Sequence, residues 1–312
     1  MRNPSESFPA PGEPPQEEIR SGDHREKLEA GCPVGCAYCV ITKVESRREM
    51  WDKKTILGIN KAVTILNAPP DLTNKDARDE FYNFPIELLK GDIVGFNAMS
   101  DPFWPKYAKE LDYFMEHVPQ VAKMVVCVTK FNPPMKTLER LARIPNFRLN
   151  VSITGLDDLE RTKTIQRLAT LQKAKELGIK AFPIVHPYIA GMADLSFLPE
   201  LKATGYDEID FKGLRYDDAT MSGWMPSESR KHYRLTGGDE VLVEDGWREK
   251  VEGAGMSLVS PKEWYKRDWV NLEPKLSREE AEEKVKKIIE MANITSSDTD
   301  EAVIEAAVQR RM

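Results

Sequence analysis

Three of the four cysteines stand within eight residues, in the run Gly31-Cys32-Pro33-Val34-Gly35-Cys36-Ala37-Tyr38-Cys39. Cysteines this close together do not pair into a disulfide framework, and a reducing compartment keeps them as thiols. Clustered reduced thiols point to metal. Three thiolates can hold three irons of a cubane cluster, which leaves the fourth iron an open coordination position. Gly31, Pro33 and Gly35 let the backbone wrap closely around a bulky inorganic core. Structural zinc is the competing metal: it takes four ligands, usually in C-x2-4-C pairs or with histidine. His24 can supply the fourth, at an unfamiliar spacing from Cys32. Cys127 lies between valines in an apolar run and reads as a core residue.

Other residues with chemistry to offer fall at the ends of short apolar runs. Asn97, Ser100 and Asp101 follow the run Asp92–Ala98, where ligand-facing polar groups of a parallel sheet belong; an Asp-Pro turn with a capping serine explains them equally well. Asn150 and Ser152 alternate with Leu149, Val151 and Ile153, so both point to one face; inside a barrel they need a polar partner such as a bound cofactor, and otherwise they face a helix or solvent. Tyr188 and His186 end another run and can line a substrate cavity, although a lone histidine is more often structural. Lys212, Arg215 and Tyr216 close the next run; the two cations suit an anionic cofactor or substrate group, or a salt bridge to Asp217 or Asp218. Tyr188, Arg215 and Tyr216 are the candidate catalytic residues. Lys43 to Lys54 is basic and can guide an anionic substrate or form a solvated face. Trp224, Met225, Pro226 and Tyr233 can cover the mouth of the site or pack against a C-terminal extension.

The elements that must position these residues alternate. Residues 1–22 are rich in Pro, Glu and Ser and read as a disordered tail. Ile56 to Leu66 repeats apolar residues at helical spacing and closes at Pro69-Pro70. Strands are expected at Asp92–Ala98, Met124–Thr129, Arg148–Thr154, Lys180–Val185 and Glu208–Lys212, with one more just before the cysteines. Helices are expected at Tyr107–His117, Met135–Ala142, Leu159–Leu177 (stopped by Gly178) and Leu195–Ala203. Strands and helices alternating at this spacing make βαβ units: an α/β chain with about six repeats, a partial (β/α)6 barrel over residues 23–217. Residues 218–312 break the pattern and read as a mostly helical C-terminal extension packed on the barrel. Ser277-Arg278-Glu279-Glu280 is a capping box within it, and a second helix lies near Asp300–Val308.

Bulk properties narrow the field. The chain has 312 residues, 41% hydrophobic and 31% charged, as for a globular protein. No apolar run reaches the roughly 18–20 residues of a membrane span. The polar, proline-rich start lacks the basic and apolar parts of a secretory signal, so the cytoplasm is the expected compartment. A net charge of −6 gives no support to duplex binding.

The C-x3-C-x2-C spacing, with Tyr38 directly before the last cysteine, resembles the signature of the radical S-adenosylmethionine superfamily. The resemblance covers roughly residues 28–216. It implies a [4Fe–4S] cluster on Cys32, Cys36 and Cys39, whose open iron is chelated by the methionine amine and carboxylate of S-adenosylmethionine. An electron from the cluster then splits the sulfur–C5′ bond, and the resulting 5′-deoxyadenosyl radical abstracts hydrogen from substrate. By the same resemblance Tyr38 lies against the adenine, a serine on the fourth strand (here Ser152) is a cofactor contact, and Asn97, Ser100, Asp101, Asn150 and Lys212 complete the cofactor site. An external electron donor of flavodoxin or ferredoxin type is implied. Cys127 alone cannot hold a second cluster. The Gly-Cys-x3-Cys-x-Tyr-Cys run with Ser100-Asp101-Pro102-Phe103 is further similar to the spore photoproduct lyase branch. Asn97-Ala98-Met99-Ser100-Asp101 stands where much of the superfamily carries Gly-Gly-Glu to hold the methionine amine. Three readings are open: an enzyme acting on a small molecule, which the acidic charge favours; a nucleic-acid repair enzyme of the lyase kind; and a zinc-binding interaction module with no catalysis.

Overall fold

The computed structural model describes residues 32, 34–39, 57–59, 63–214, 225–231, 246–261, 263, 264, 267, 276–292 and 301–312. The expected tail, the strand ahead of the cysteines, His24, Lys43–Lys54, Arg215, Tyr216, Trp224 and Tyr233 lie outside these residues.

Among the described residues eight strands form one sheet in chain order: β1 (Leu57–Ile59), β2 (Thr64–Leu66), β3 (Ile93–Phe96), β4 (Met124–Thr129), β5 (Phe147–Ser152), β6 (Lys180–Tyr188), β7 (Glu208–Gly213) and β8 (Ser257–Leu258). β2 to β8 run parallel, and only β1 is antiparallel to its neighbour. This is the α/β alternation expected of the βαβ repeats. Between the strands lie α1 (Lys75–Tyr82), α2 (Ala108–His117), α3 (Met135–Leu141), α4 (Thr164–Glu176) and α5 (Leu198–Ala203). The short α6 (Ser227–Arg230) and α7 (Trp247–Gly253) precede β8, and α8 (Arg278–Ala292) and α9 (Glu301–Arg311) follow it. Among the described residues no helix is long and apolar enough to cross a membrane.

Two expectations are corrected. Ile56–Leu66 holds no helix where it is described: Leu57–Ile59 and Thr64–Leu66 pair as an antiparallel hairpin. Its apolar positions satisfy either period, and β-branched Val63, Thr64 and Ile65 favour the extended state. The helix expected from Leu159 starts instead at Thr164, because Asp157 accepts from the Thr164 backbone N–H at 2.7 Å and Gln166 reaches back to the Lys163 N–H at 2.8 Å. Leu159 to Lys163 are thereby released into a loop, which brings Glu160 to the candidate site. Gly178 ends α4 with φ of 75°, and Ser277 and Glu280 form the expected capping box of α8.

The strands' two faces differ. The face toward the helices is a continuous apolar core that includes Val125, Cys127, Leu149, Val151, Val185 and Phe211. Residues between these point inward, and register aligns them in rows: Val128 beside Asn150 beside Phe182, then Ser152 beside Ile184 beside Asp210. The lower half of the inner face is apolar: Ile93, Met124 and Val126 pack with Trp264, which also stacks on Phe182 at 5.0 Å. At the N-terminal end of the sheet the buried Asp92 carboxylate accepts from Lys284 at 3.0 Å and from Arg311 at 2.8 Å, tying α8 and α9 to β3. Arg311 also donates to Thr64 at 2.6 Å.

Candidate active site at the C-terminal ends of the strands

The cysteine loop lies across the C-terminal ends of β3 to β5. Two tight turns shape it, Gly35 N–H to Cys32 C=O and Cys39 N–H to Cys36 C=O, and Gly35 takes φ of 60°. Two backbone hydrogen bonds dock it on the loop before α4: Ala37 N–H to Leu159 C=O at 3.2 Å and Arg161 N–H to Val34 C=O at 3.3 Å. A side chain at Gly35 would press on the Arg161 guanidinium, 3.1 Å from where its Cβ would stand. Cys32, Cys36 and Cys39 are half-buried, and none of the cysteines forms a disulfide. Burial first, then the Asp101 carboxylate, pushes the Cys32 thiol up to about 11; burial raises Cys36 further, against the pull of Lys130. Cys127 is fully buried in the core, as its neighbours in the sequence imply.

Beneath Cys36 sits a charged network that sequence reasoning passed over. Glu160, wholly buried, pairs with Arg167 of α4, accepts from Thr154 Oγ1 at 2.7 Å and from the Tyr38 hydroxyl, and lies 4.0 Å from Cys36 Sγ. Arg167 also donates to the carbonyls of Lys130 and Thr162. Lys130, the residue after β4, donates to Ser152 Oγ at 2.8 Å and to the His186 carbonyl, stands 3.5 Å from Glu160, and lies over the Tyr38 ring at 5.3 Å. Burial lowers its ammonium to about 7. Burial likewise raises the Glu160 carboxyl, with Arg167 opposing. Charged residues directly after a strand or before a helix in parallel sheets were the available signal. Lys130 stood one residue past an expected strand, and Glu160 was hidden inside an expected helix.

The predicted site residues divide. Asn97, Ser100 and Asp101 do follow β3, with Asn97 in a left-handed conformation at φ of 57°. Asp101 is spoken for: its oxygens accept from Thr129 Oγ1 and from the backbone N–H groups of Phe103, Lys130 and Phe131. It fastens the β3 loop to the β4 loop, the structural alternative for that position. By contrast, Asn97 Nδ2 and Ser100 Oγ are buried without a well-formed hydrogen bond, and so is the Tyr107 hydroxyl near them. Ser152 is on the inner face, with its hydroxyl donating to the His186 carbonyl at 2.9 Å. Asn150 is buried one row lower, and its Oδ1 has no partner. Tyr38 is buried against Leu156, Ile189, Leu214 and Met225. Lys212 is half-buried on β7 near His186. Tyr188 is not brought to the site: a register shift between Val185 and Tyr188 turns it to the helix side, where it packs on Phe211 and Trp247. Asp210, unremarked in the sequence, faces His186 Nε2 at 2.6 Å.

Whether the cysteines fit an iron–sulfur cluster turns on donors and surroundings. Among the described residues no three His, Cys, Asp or Glu side chains converge as a finished metal site. The donor set itself is three thiols, soft ligands suited to iron–sulfur chemistry. They border a patch of buried polar atoms with unmet hydrogen bonds, which native proteins rarely leave without a ligand or water. Donor chemistry and unmet polar atoms together fit the group.

No protein-family model and no curated protein matches the chain. Its shape is similar to a spore photoproduct lyase variant with bound S-adenosylmethionine and dinucleoside spore photoproduct, at 14% identity and TM-score 0.46, over 72% of this chain and 69% of that one. It is also similar to Streptococcus suis SuiB bound to S-adenosylmethionine, at 11% identity and TM-score 0.43, over 74% of this chain; it spans 48% of SuiB. With TM-scores below 0.5, these likenesses assign no activity to the chain.

Proposed function

We propose that the chain is a radical S-adenosylmethionine enzyme, with a [4Fe–4S] cluster on Cys32, Cys36 and Cys39 and a small molecule as substrate. The observation that carries this is a juxtaposition: three thiols on one loop beside three buried polar groups, on Asn97, Ser100 and Tyr107, that make no well-formed hydrogen bond, at the ligand-binding end of a parallel sheet. When bound, the cluster and S-adenosylmethionine together supply a radical that can take a hydrogen atom from substrate. The electron comes from an external donor of flavodoxin or ferredoxin type.

The chain's own residues bind and orient. Lys130 and Ser152 offer a cation and a hydroxyl suited to the methionine carboxylate, on neighbouring strands and already hydrogen-bonded. Ser100 and Asn97 offer polar atoms for the methionine amine and the sugar hydroxyls, in place of the absent Gly-Gly-Glu. Tyr38 offers a ring for the adenine. Asp101 positions the loop that carries Ser100, and Glu160 with Arg167 holds Tyr38 and the loop against which the cysteines dock.

The test is anaerobic reconstitution with iron and sulfide, metal and acid-labile sulfide analysis, and assay of 5′-deoxyadenosine after reduction with S-adenosylmethionine. The wild type is expected to hold a cluster and form the product; Cys36→Ala is expected to form none. Zinc without sulfide, or a cluster that leaves S-adenosylmethionine intact under every reductant, would replace this reading with a structural metal site.

A further inference from the structure

The upper inner face of the sheet has features that packing does not account for. Val128, the next-to-last residue of β4, pairs in register with Asn150 of β5, yet it is 48% exposed. A valine this open on a strand between β3 and β5 means that the described residues do not fill the inner face at its level. In register with Val128 is Asn150, whose Oδ1 is shut off from water with no partner. A native interior rarely leaves such an acceptor unpaired unless something else completes it.

Above these lie His186 and Asp210. Ile184 pairs in register with Asp210, and Val185 with Phe211 on the helix side, so His186 and Asp210 both face inward. Their side chains remain 25% and 12% exposed while joined at 2.6 Å. The carboxylate fixes the ring: it holds Nε2 and leaves the imidazole's other nitrogen for another partner. The His186 carbonyl accepts from both Lys130 and Ser152, so the backbone that carries the ring is tied to the groups offered to S-adenosylmethionine. Lys212, two residues beyond Asp210 on the same strand, adds a cation beside His186.

We propose that this inner wall is the substrate site, and that it takes a small organic anion, a carboxylate or phosphate ester. Lys212 meets the anionic group, the imidazole of His186 oriented by Asp210 hydrogen-bonds a polar group on the carbon skeleton, and Val128 borders its apolar part. The proposal rests on the radical S-adenosylmethionine reading for what is done to that molecule, but not for its binding. His186 touches the substrate; Asp210 is a positioning residue.

The experiment uses the full chain, reconstituted with iron and sulfide and saturated with S-adenosylmethionine. It is equilibrated with the anionic fraction of a small-molecule cell extract, and with a short oligothymidylate in parallel. Compounds retained on ultrafiltration are identified by mass spectrometry and titrated singly. One retained organic anion is expected, with affinity falling about three- to tenfold in His186→Gln, as for loss of a hydrogen bond between neutral groups. Val128→Phe, which fills the opening without removing a polar group, is expected to weaken binding at least as much. Asp210→Asn should weaken it less, since the amide still holds the ring. Cluster absorbance and melting temperature report that each variant is folded. Retention unaffected by both His186→Gln and Val128→Phe overturns the site; retention of the oligothymidylate and no small anion, or of nothing, overturns the substrate class. A chain that holds no cluster fails the radical S-adenosylmethionine reading alone, because anion retention by the cluster-free chain still reports on this wall.

Discussion

The two ends of the sheet bury polar groups in opposite ways. At the N-terminal end, Asp92 is met by Lys284 and Arg311, and Arg311 spends its remaining donors on Thr64 and the Ala307 carbonyl, leaving only Nε unpaired. At the C-terminal end, Asn97, Ser100, Tyr107 and Asn150 are buried with atoms that make no well-formed hydrogen bond. An unmet buried polar group costs about 1–3 kcal/mol. One end meets its buried carboxylate with two cations, whereas the other leaves four polar groups without well-formed partners, the pattern expected where a ligand binds. Closed networks report on architecture, and open ones on function.

The largest effect expected belongs to the closed end. Asp92→Ala would strand two buried cations and should cost about 3–5 kcal/mol of stability, measured by urea denaturation of the purified chain. A loss under about 1 kcal/mol, the level of an ordinary surface change, would mean that α8 and α9 are not anchored there, and the contrast between the ends would weaken. At the open end the opposite sign pattern is expected. Ser100→Ala removes a hydroxyl that makes no well-formed hydrogen bond, so the ligand-free chain should keep its stability within about 0.5 kcal/mol, while its affinity for S-adenosylmethionine should fall roughly tenfold. Calorimetric titration and thermal melts on one preparation separate the two. The smallest effect is pH-dependent. Burial, outweighing Asp210, lowers the His186 pKa below its ordinary 6.5. The unfolded chain therefore binds this proton more readily than the folded one, so the contribution is complete above pH 6.5 and is lost as pH falls through the lowered value. Melting temperature should drop between about pH 7 and 5 by more in the wild type than in His186→Gln; equal drops would show that this ring does not titrate.

Much of this was legible in the sequence, for physical reasons. Met124–Thr129 is short and β-branched, and becomes a central strand with the expected bounds. The cysteine spacing stands out because thiols are rare and their clustering is costly to explain by packing. What escaped was context. Tyr188 shares a two-residue period with Ile184 and His186, but the register shift breaks the period before it, and no composition signal marks the break. Asp101 has the look of a ligand group in the sequence, but the fold surrounds it with four donors. Glu160 was hidden because apolar residues at helical spacing run on through Leu159 and Ile165, and only the caps on Thr164 and Lys163 fix where the helix begins. His186 is an isolated histidine in the chain, and becomes a pair only when β7 brings Asp210 alongside.

Trp264 carries a consequence of another kind. Its indole stacks on Phe182, which lies in register with Val128 and Asn150, and packs with Val126 one row below. The chain holds six tryptophans, so its emission is a sum, but Trp264→Phe subtracts this one. The difference spectrum would give the interior its own optical reporter, one that responds to what enters from above without any label or turnover.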